Sequence, residues 1–194
     1  MKNLSQYIHE ALISKKFSKI ETTDHPRNID ELKKVIATAI NINGYNCDLN
    51  HIDTSSIKDM SYLFSKNLKN RGWDKGALNQ IVLDPAPNPD KNTWAVIDLW
   101  KFNGDISNWD VSGVENMTSM FNGSDYTGDN GDISDWDVSN VKNMSYMFQH
   151  SNFSGDLDSW KVTYGMVAAN MFSWSKLQKN KPKWATKIKN GIVK

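Results

Sequence analysis

Eighteen residues of this chain are written almost twice. The stretch 104–121, GDISNWDVSGVENMTSMF, returns 27 residues later as 131–148, GDISDWDVSNVKNMSYMF, with 13 of 18 positions identical. Self-similarity at this spacing constrains the fold strongly, because so small a unit cannot bury its apolar side alone and must lean on its neighbours. Two weaker copies flank the strong pair, CDLNHIDTSSIKDMSYLF at 47–64 and GDLDSWKVTYGMVAANMF at 155–172. The gap between the copies at 47 and 104 is too long for one unit. Within it GALNQIVL, opening at Gly76, matches the first half of the pattern before dissolving into DPAPNPD. The count is therefore about five units, opening at 47, 76, 104, 131 and 155, with a degenerate second unit at 76–103.

Each unit carries apolar residues spaced L-x-x-L-x-L: Leu49, Ile52 and Thr54; Leu78, Ile81 and Leu83; Ile106, Trp109 and Val111; Ile133, Trp136 and Val138; Leu157, Trp160 and Val162. That spacing is the strand signature of leucine-rich repeats. The apolar positions that follow, Val114, Met117, Met120 and Phe121, or Val141, Met144, Met147 and Phe148, are spaced three, three and one, which predicts a short helix. The expected fold is an α/β repeat: a leucine-rich-repeat-like solenoid of about five strand-turn-helix units with a helical N-terminal cap. Trp109, Trp136 and Trp160 recur in register and are expected to form an aromatic ladder in its core. The layout is an amphipathic helix at 1–20, a capping helix at 28–44, the solenoid at 45–174 and a basic tail or cap at 175–194.

The W-D-V-S and N-M-x-x-M-F stretches resemble the repeats of the BspA-like bacterial surface proteins, a family also described as a domain of unknown function in mycoplasma lipoproteins. The resemblance covers about residues 28–174. It implies a solenoid that binds proteins or host surfaces and brings no catalytic residues with it. This chain shows neither the export signal nor the lipid-attachment cysteine of that family's secreted members. The first twenty residues, with Leu4, Tyr7, Ile8, Ala11 and Leu12 on one helical face before Lys15, Lys16 and Lys19, are similar to the capsid-targeting leader of internal head proteins of large tailed phages. That likeness implies processing after Ile8-His9-Glu10. A helix covering one end of the solenoid is the alternative.

Composition narrows the function further. The net charge is +1, yet residues 102–160 carry ten acids and one lysine, whereas 161–194 carry eight lysines and no acid. The basic stretch has too few arginines and interleaved aromatics to argue for nucleic acid. One cysteine, Cys47, excludes an intrachain disulfide framework. No apolar run is long enough to span a membrane, and no signal-peptide core stands at the start. The expected location is therefore the cytoplasm or a phage virion. The four histidines have no metal-ligand spacing, no nucleotide or nucleophile motif is present, and the acidic run 125–137 fails the calcium-loop template. No enzyme, metal or cofactor is expected.

What remains is a binding module for a protein partner, with a cationic partner as one option and self-association through the ends as another. Outward positions of successive units should form rows: Asp53, Val82, Asp110, Asp137 and Lys161 in one, and His51, Gln80, Asn108, Asp135 and Ser159 in the other. The candidate contact residues are Asp53, Asn108, Asp110, Asp135, Asp137, Ser159 and Lys161. Like charges opposed on a sheet are costly. Either the face binds something cationic, or each aspartate caps the helix that follows it. A phage virion or internal head protein, addressed by its N-terminal helix, is the second functional reading.

Overall fold

The computed structural model describes residues 25–66, 80–83 and 95–194. Among them is one α-helix, α1 (Ile29–Asn43). The Asn28 side chain accepts hydrogen bonds from the N–H groups of Asp30 and Glu31, satisfying two of the orphan donors of the first turn, and those two acids complement the helix dipole. Gly44, at φ 83°, closes the other end by donating to Ile40 O. Leu32, Val35, Ile36, Ala37, Ala39 and Ile40 form the buried stripe. No helix among the described residues is long and apolar enough to cross a membrane.

The copies themselves contain no α-helix and no named strand, so the expected leucine-rich-repeat-like solenoid of strand-turn-helix units is overturned. Each copy is a run of turns with a five-residue grammar. In 104–121 the run reads DISNW, DVSGV, then Glu115, then NMTSM. The Asp or Asn at the first position accepts the N–H of the third: Asp105 from Ser107, Asp110 from Ser112, Asn116 from Thr118, at 2.9 to 3.1 Å. The carbonyl at the second position accepts the N–H of the fifth: Ile106 from Trp109, Val111 from Val114, Met117 from Met120. These Asx turns and reverse turns satisfy the backbone locally and compete with helix and strand alike. The pattern returns at 131–148 through Asp132, Asp137 and Asn143, and at 47–64 through Asp48, Asp53 and Asp59.

The spacing that resembled a helix has a different origin. Tyr62, Ser119, Tyr146 and Asn170, in the third pentad of each copy, lie in the left-handed region at φ 60°, 56°, 61° and 53°, which breaks any α-helix through Met117 or Met144. What the kinks allow is a backbone ladder between copies. Met60, Tyr62, Phe64 and Lys66 donate to the carbonyls of Asn116, Thr118, Met120 and Asn122; Met117, Ser119, Phe121 and Gly123 donate to Asn143, Ser145, Met147 and Gln149; Met144, Tyr146, Phe148 and His150 donate to Val167, Ala169, Met171 and Ser173. All twelve bonds measure 2.7 to 3.0 Å. The parallel bridges Asp59–Asn116, Asn116–Asn143 and Asn143–Val167 mark the same register.

Inside this stack the phenylalanines form a column. Phe64, Phe121, Phe148 and Phe172 follow one another with ring centroids 5.5, 5.5 and 6.3 Å apart. A second column, Phe102, Tyr126 and Phe153, leans against it at 4.7 to 4.9 Å. Each such pair adds about 0.5 to 1.5 kcal/mol beyond its area burial. The tryptophans pack against this column: Trp109, Trp136 and Trp160 contact Phe64, Phe121 and Phe148, and each indole N–H donates to the preceding copy, at Leu49, Ile106 and Ile133 O. The copies approach so closely that a Cβ at Gly104 would collide with the Cys47 carbonyl oxygen.

The copies at 47 and 104 bond to each other directly, Leu49 N donating to Asp105 O at 2.9 Å and Asp105 N to Cys47 O at 3.2 Å. The degenerate unit expected at 76–103 therefore does not intervene. Its described part is an antiparallel hairpin, β1 (Gln80–Leu83) paired with β2 (Ala95–Asp98), which lies beside α1. The basic segment is also structured. Trp184 repeats the tryptophan contact, donating to Leu157 O at 2.8 Å and packing on Phe172. A second hairpin, β3 (Ile188–Lys189) with β4 (Ile192–Val193), turns at Asn190 and Gly191, both at positive φ. β4 meets Val167 in antiparallel fashion.

Candidate binding surface

The first and second pentads of each copy meet at a buried residue, Ile52, Trp109, Trp136 or Trp160, and the residues on either side of it are exposed. This corner carries the expected rows. The register set by the bridges aligns Asp53, Asp110, Asp137 and Lys161, and likewise Asn108, Asp135 and Ser159. Cross-links fix the rows from below. Thr54 Oγ1 donates to Asp110 O, the Asn108 N–H donates to Asn50 Oδ1, both at 2.8 Å, and Ser159 Oγ donates to Ser134 O. Gln80 and Val82 do not join the rows, because both sit in β1, paired with Asp98 and Val96 of β2.

The aspartates have local duties. No helix follows them, so they cap turns. Asp110 Oδ1 takes both the N–H and the hydroxyl of Ser112, at 3.0 and 2.6 Å. Asp137 accepts the Ser139 N–H at 3.0 Å, and the Ser139 hydroxyl and N–H, aided by nearby Lys161, hold its carboxyl below the usual range. At Asp53 the Ser55 hydroxyl and N–H, joined by His25 Nδ1 at 2.8 Å, depress the pKa to about 2. The like-charge cost expected of the rows is thus met by hydrogen bonds inside each turn. Beside these rows runs an alternating one: Glu115 pairs with Lys142 at 2.6 Å, with Lys58 nearby on the other side.

Sequence reasoning missed the closing copy. Trp184 stands 24 residues after Trp160, as Trp160 stands 24 after Trp136, and Asn190-Gly191 between two apolar pairs is a hairpin signal. Ile8 and Glu10, the expected processing residues, lie outside the described residues. No group of three or more His, Cys, Asp and Glu among the described residues could hold a metal ion.

A family model described as "Mycoplasma protein of unknown function, DUF285" matches residues 2–80 and 91–191. No curated protein and no solved structure matches the chain.

Proposed function

Since this chain belongs to the DUF285 family of mycoplasma proteins of unknown function, we propose that it is a non-enzymatic protein-binding module whose contact surface is the corner holding Asp53, Asn108, Asp110, Asp135, Asp137, Ser159 and Lys161. The observation that carries this reading is the exposure of Asn108, Asp110, Asp135 and Asp137 along one edge of adjacent copies, in a stretch with ten acids and one lysine. The turn cap at Asp110 is made through Oδ1 alone, and Asp137 is capped by Ser139 with its carboxylate exposed. Such a surface suits a partner rich in lysine, arginine or N–H donors, which it attracts over about a 10 Å screening length at 0.1 M salt. The likeness of the W-D-V-S and N-M-x-x-M-F stretches to BspA-like surface proteins points to the same class of function.

The third pentads show how to test this surface, because Asn116 and Asn143 cap their turns as well as aspartate does. Asn is therefore a charge-only replacement here. Partners captured on immobilised protein from host-cell extract should bind the Asp110→Asn, Asp137→Asn double variant more weakly and with a shallower salt dependence, while the fold is retained with at most a small drop in melting temperature. Equal binding with unchanged salt dependence would remove this corner as the contact surface.

A further inference from the structure

The ladder between copies ends unevenly. In the first three copies every second N–H, from the second residue of the third pentad to just beyond the pentad, reaches a carbonyl of the next copy. In the fourth, Ala168 donates to Gly191 O of the second hairpin and the Trp174 N–H to Gln178 Oε1. Between these two, the N–H groups of Asn170 and Phe172 have no acceptor among the described residues, although their counterparts Tyr62, Ser119 and Tyr146, and Phe64, Phe121 and Phe148, all do. The place where a further copy would lie is a depression of about 250 Å³ lined by Asn170, Phe172, Lys181, Ala185 and Ile188. A second depression of about 560 Å³ shares Lys181 with it and adds Lys179 and Lys183 together with Asp156 and Asp158. Lys183 is engaged by Asp158 at 2.7 Å, whereas Lys179 and Lys181 have no acidic partner among the described residues.

We propose that this open end receives an extended acidic peptide segment of a partner protein, laid parallel to residues 168–174 as one copy receives the next. Two carbonyls of the segment, two residues and roughly 7 Å apart, would accept from Asn170 and Phe172. That is strand addition at an unpaired edge. Charge selects the occupant: residues 161–194 hold eight lysines and no acid, so carboxylates flanking the bonded carbonyls meet Lys179 and Lys181. This site is separate from the acidic corner and takes a partner of opposite charge.

The probe is a synthetic peptide copying residues 115–125, ENMTSMFNGSD, whose backbone serves as acceptor for the first copy and which carries an acid at each end. Titrated into the isotope-labelled full chain, it should move the amide resonances of Asn170 and Phe172 downfield and slow their hydrogen exchange. Lys181→Glu should weaken binding about fivefold or more with no change in melting, and a peptide with both acids replaced by lysine should bind more weakly still. The Asp110→Asn, Asp137→Asn variant should bind the probe as the parent does, which separates failure here from failure at the acidic corner. Absence of binding at millimolar peptide, or binding that leaves the two amides unmoved, would overturn the proposal. So would concentration-dependent self-association that Lys181→Glu abolishes and the peptide does not compete, because the occupant would then be a second copy of this chain.

Discussion

The two middle copies and the last one are made from the same pattern, yet they close differently. At 104–121 and 131–148 all three first positions of the pentads are Asp or Asn, and every turn has its side-chain cap. In the copy at 155–172 only Asp156 remains, capping the Asp158 N–H at 2.8 Å, while Lys161 and Val167 stand at the other two first positions. The side-chain caps have been exchanged there for tertiary ones. Gly165 donates to Val193 O, Val193 to Met166 O, and Ala168 to Gly191 O. Middle copies satisfy their backbone from within and from both neighbours, whereas the last depends on one neighbour and a hairpin.

The strongest test of this contrast is the tryptophan contact. Trp136 is 4% exposed and lies between two copies, while Trp174, just beyond the last copy, is 70% exposed and stacks on His150. Trp136→Ala should cost on the order of 3 to 5 kcal/mol; Trp174→Ala should cost well under 1 kcal/mol, as surface changes do. Urea unfolding of the two variants decides it, and similar midpoints would mean that the middle copies are not held by their indoles.

A smaller effect separates capped from uncapped turns. Asn143→Ala strands the N–H of Ser145, which is buried, and should cost about 1 to 2 kcal/mol. Val167→Ala, at the matching place in the last copy, removes no cap and should change stability by about 0.5 kcal/mol or less. Val167→Asn sharpens the comparison: a side chain able to accept from Ala169 N–H should recover part of a cap's worth, about 0.5 kcal/mol. Thermal scans of all three variants give the ranking.

The smallest effect concerns pH at the exposed Asp53. Its pKa in the fold, about 2, lies below the unfolded value of about 3.9. The folded state therefore binds fewer protons in this window, so the stabilisation from Asp53 is complete above about pH 4 and fades as the pH falls toward 2. Asp53→Asn should be less stable than the parent at about pH 5, and the gap should narrow steadily below about pH 4, most of it gone by about pH 2. A gap independent of pH would mean that the ionised carboxylate is not the source of the difference.

The repetition, its register and its apolar positions are all legible in the amino-acid order. Ile106, Trp109, Val111, Val114, Met117, Met120 and Phe121 are all buried. The error lay in what the spacing meant. Positions two and five of successive pentads give gaps of three, two and three, the same arithmetic as L-x-x-L-x-L. One inserted residue, Glu115 or Lys142, then shifts the third pentad into a spacing that imitates a helix. The first-position Asp and Asn with the third-position Ser and Thr carried the deciding information, since their side chains capture the backbone every five residues. The acidic rows were legible because register alone sets them. Their turn caps were not, as long as a helix was expected after each aspartate. The closure at 184–193 was hidden by its lysines, which drew attention to charge and away from Trp184 and Asn190-Gly191.

The hairpin at Asn190-Gly191 also bears on how large such a molecule can be. Each copy offers its far edge as a template for another of its kind, so nothing inside a copy says how many there should be. Adjacent copies pair Asp59 with Asn116, Asn116 with Asn143 and Asn143 with Val167, so the sequence interval between neighbours differs from pair to pair. Among the described residues, the direction reverses at β4, an antiparallel strand that occupies part of the last edge. The hairpin thus covers backbone that a following copy would otherwise meet, and shortening it should expose the Val167 edge.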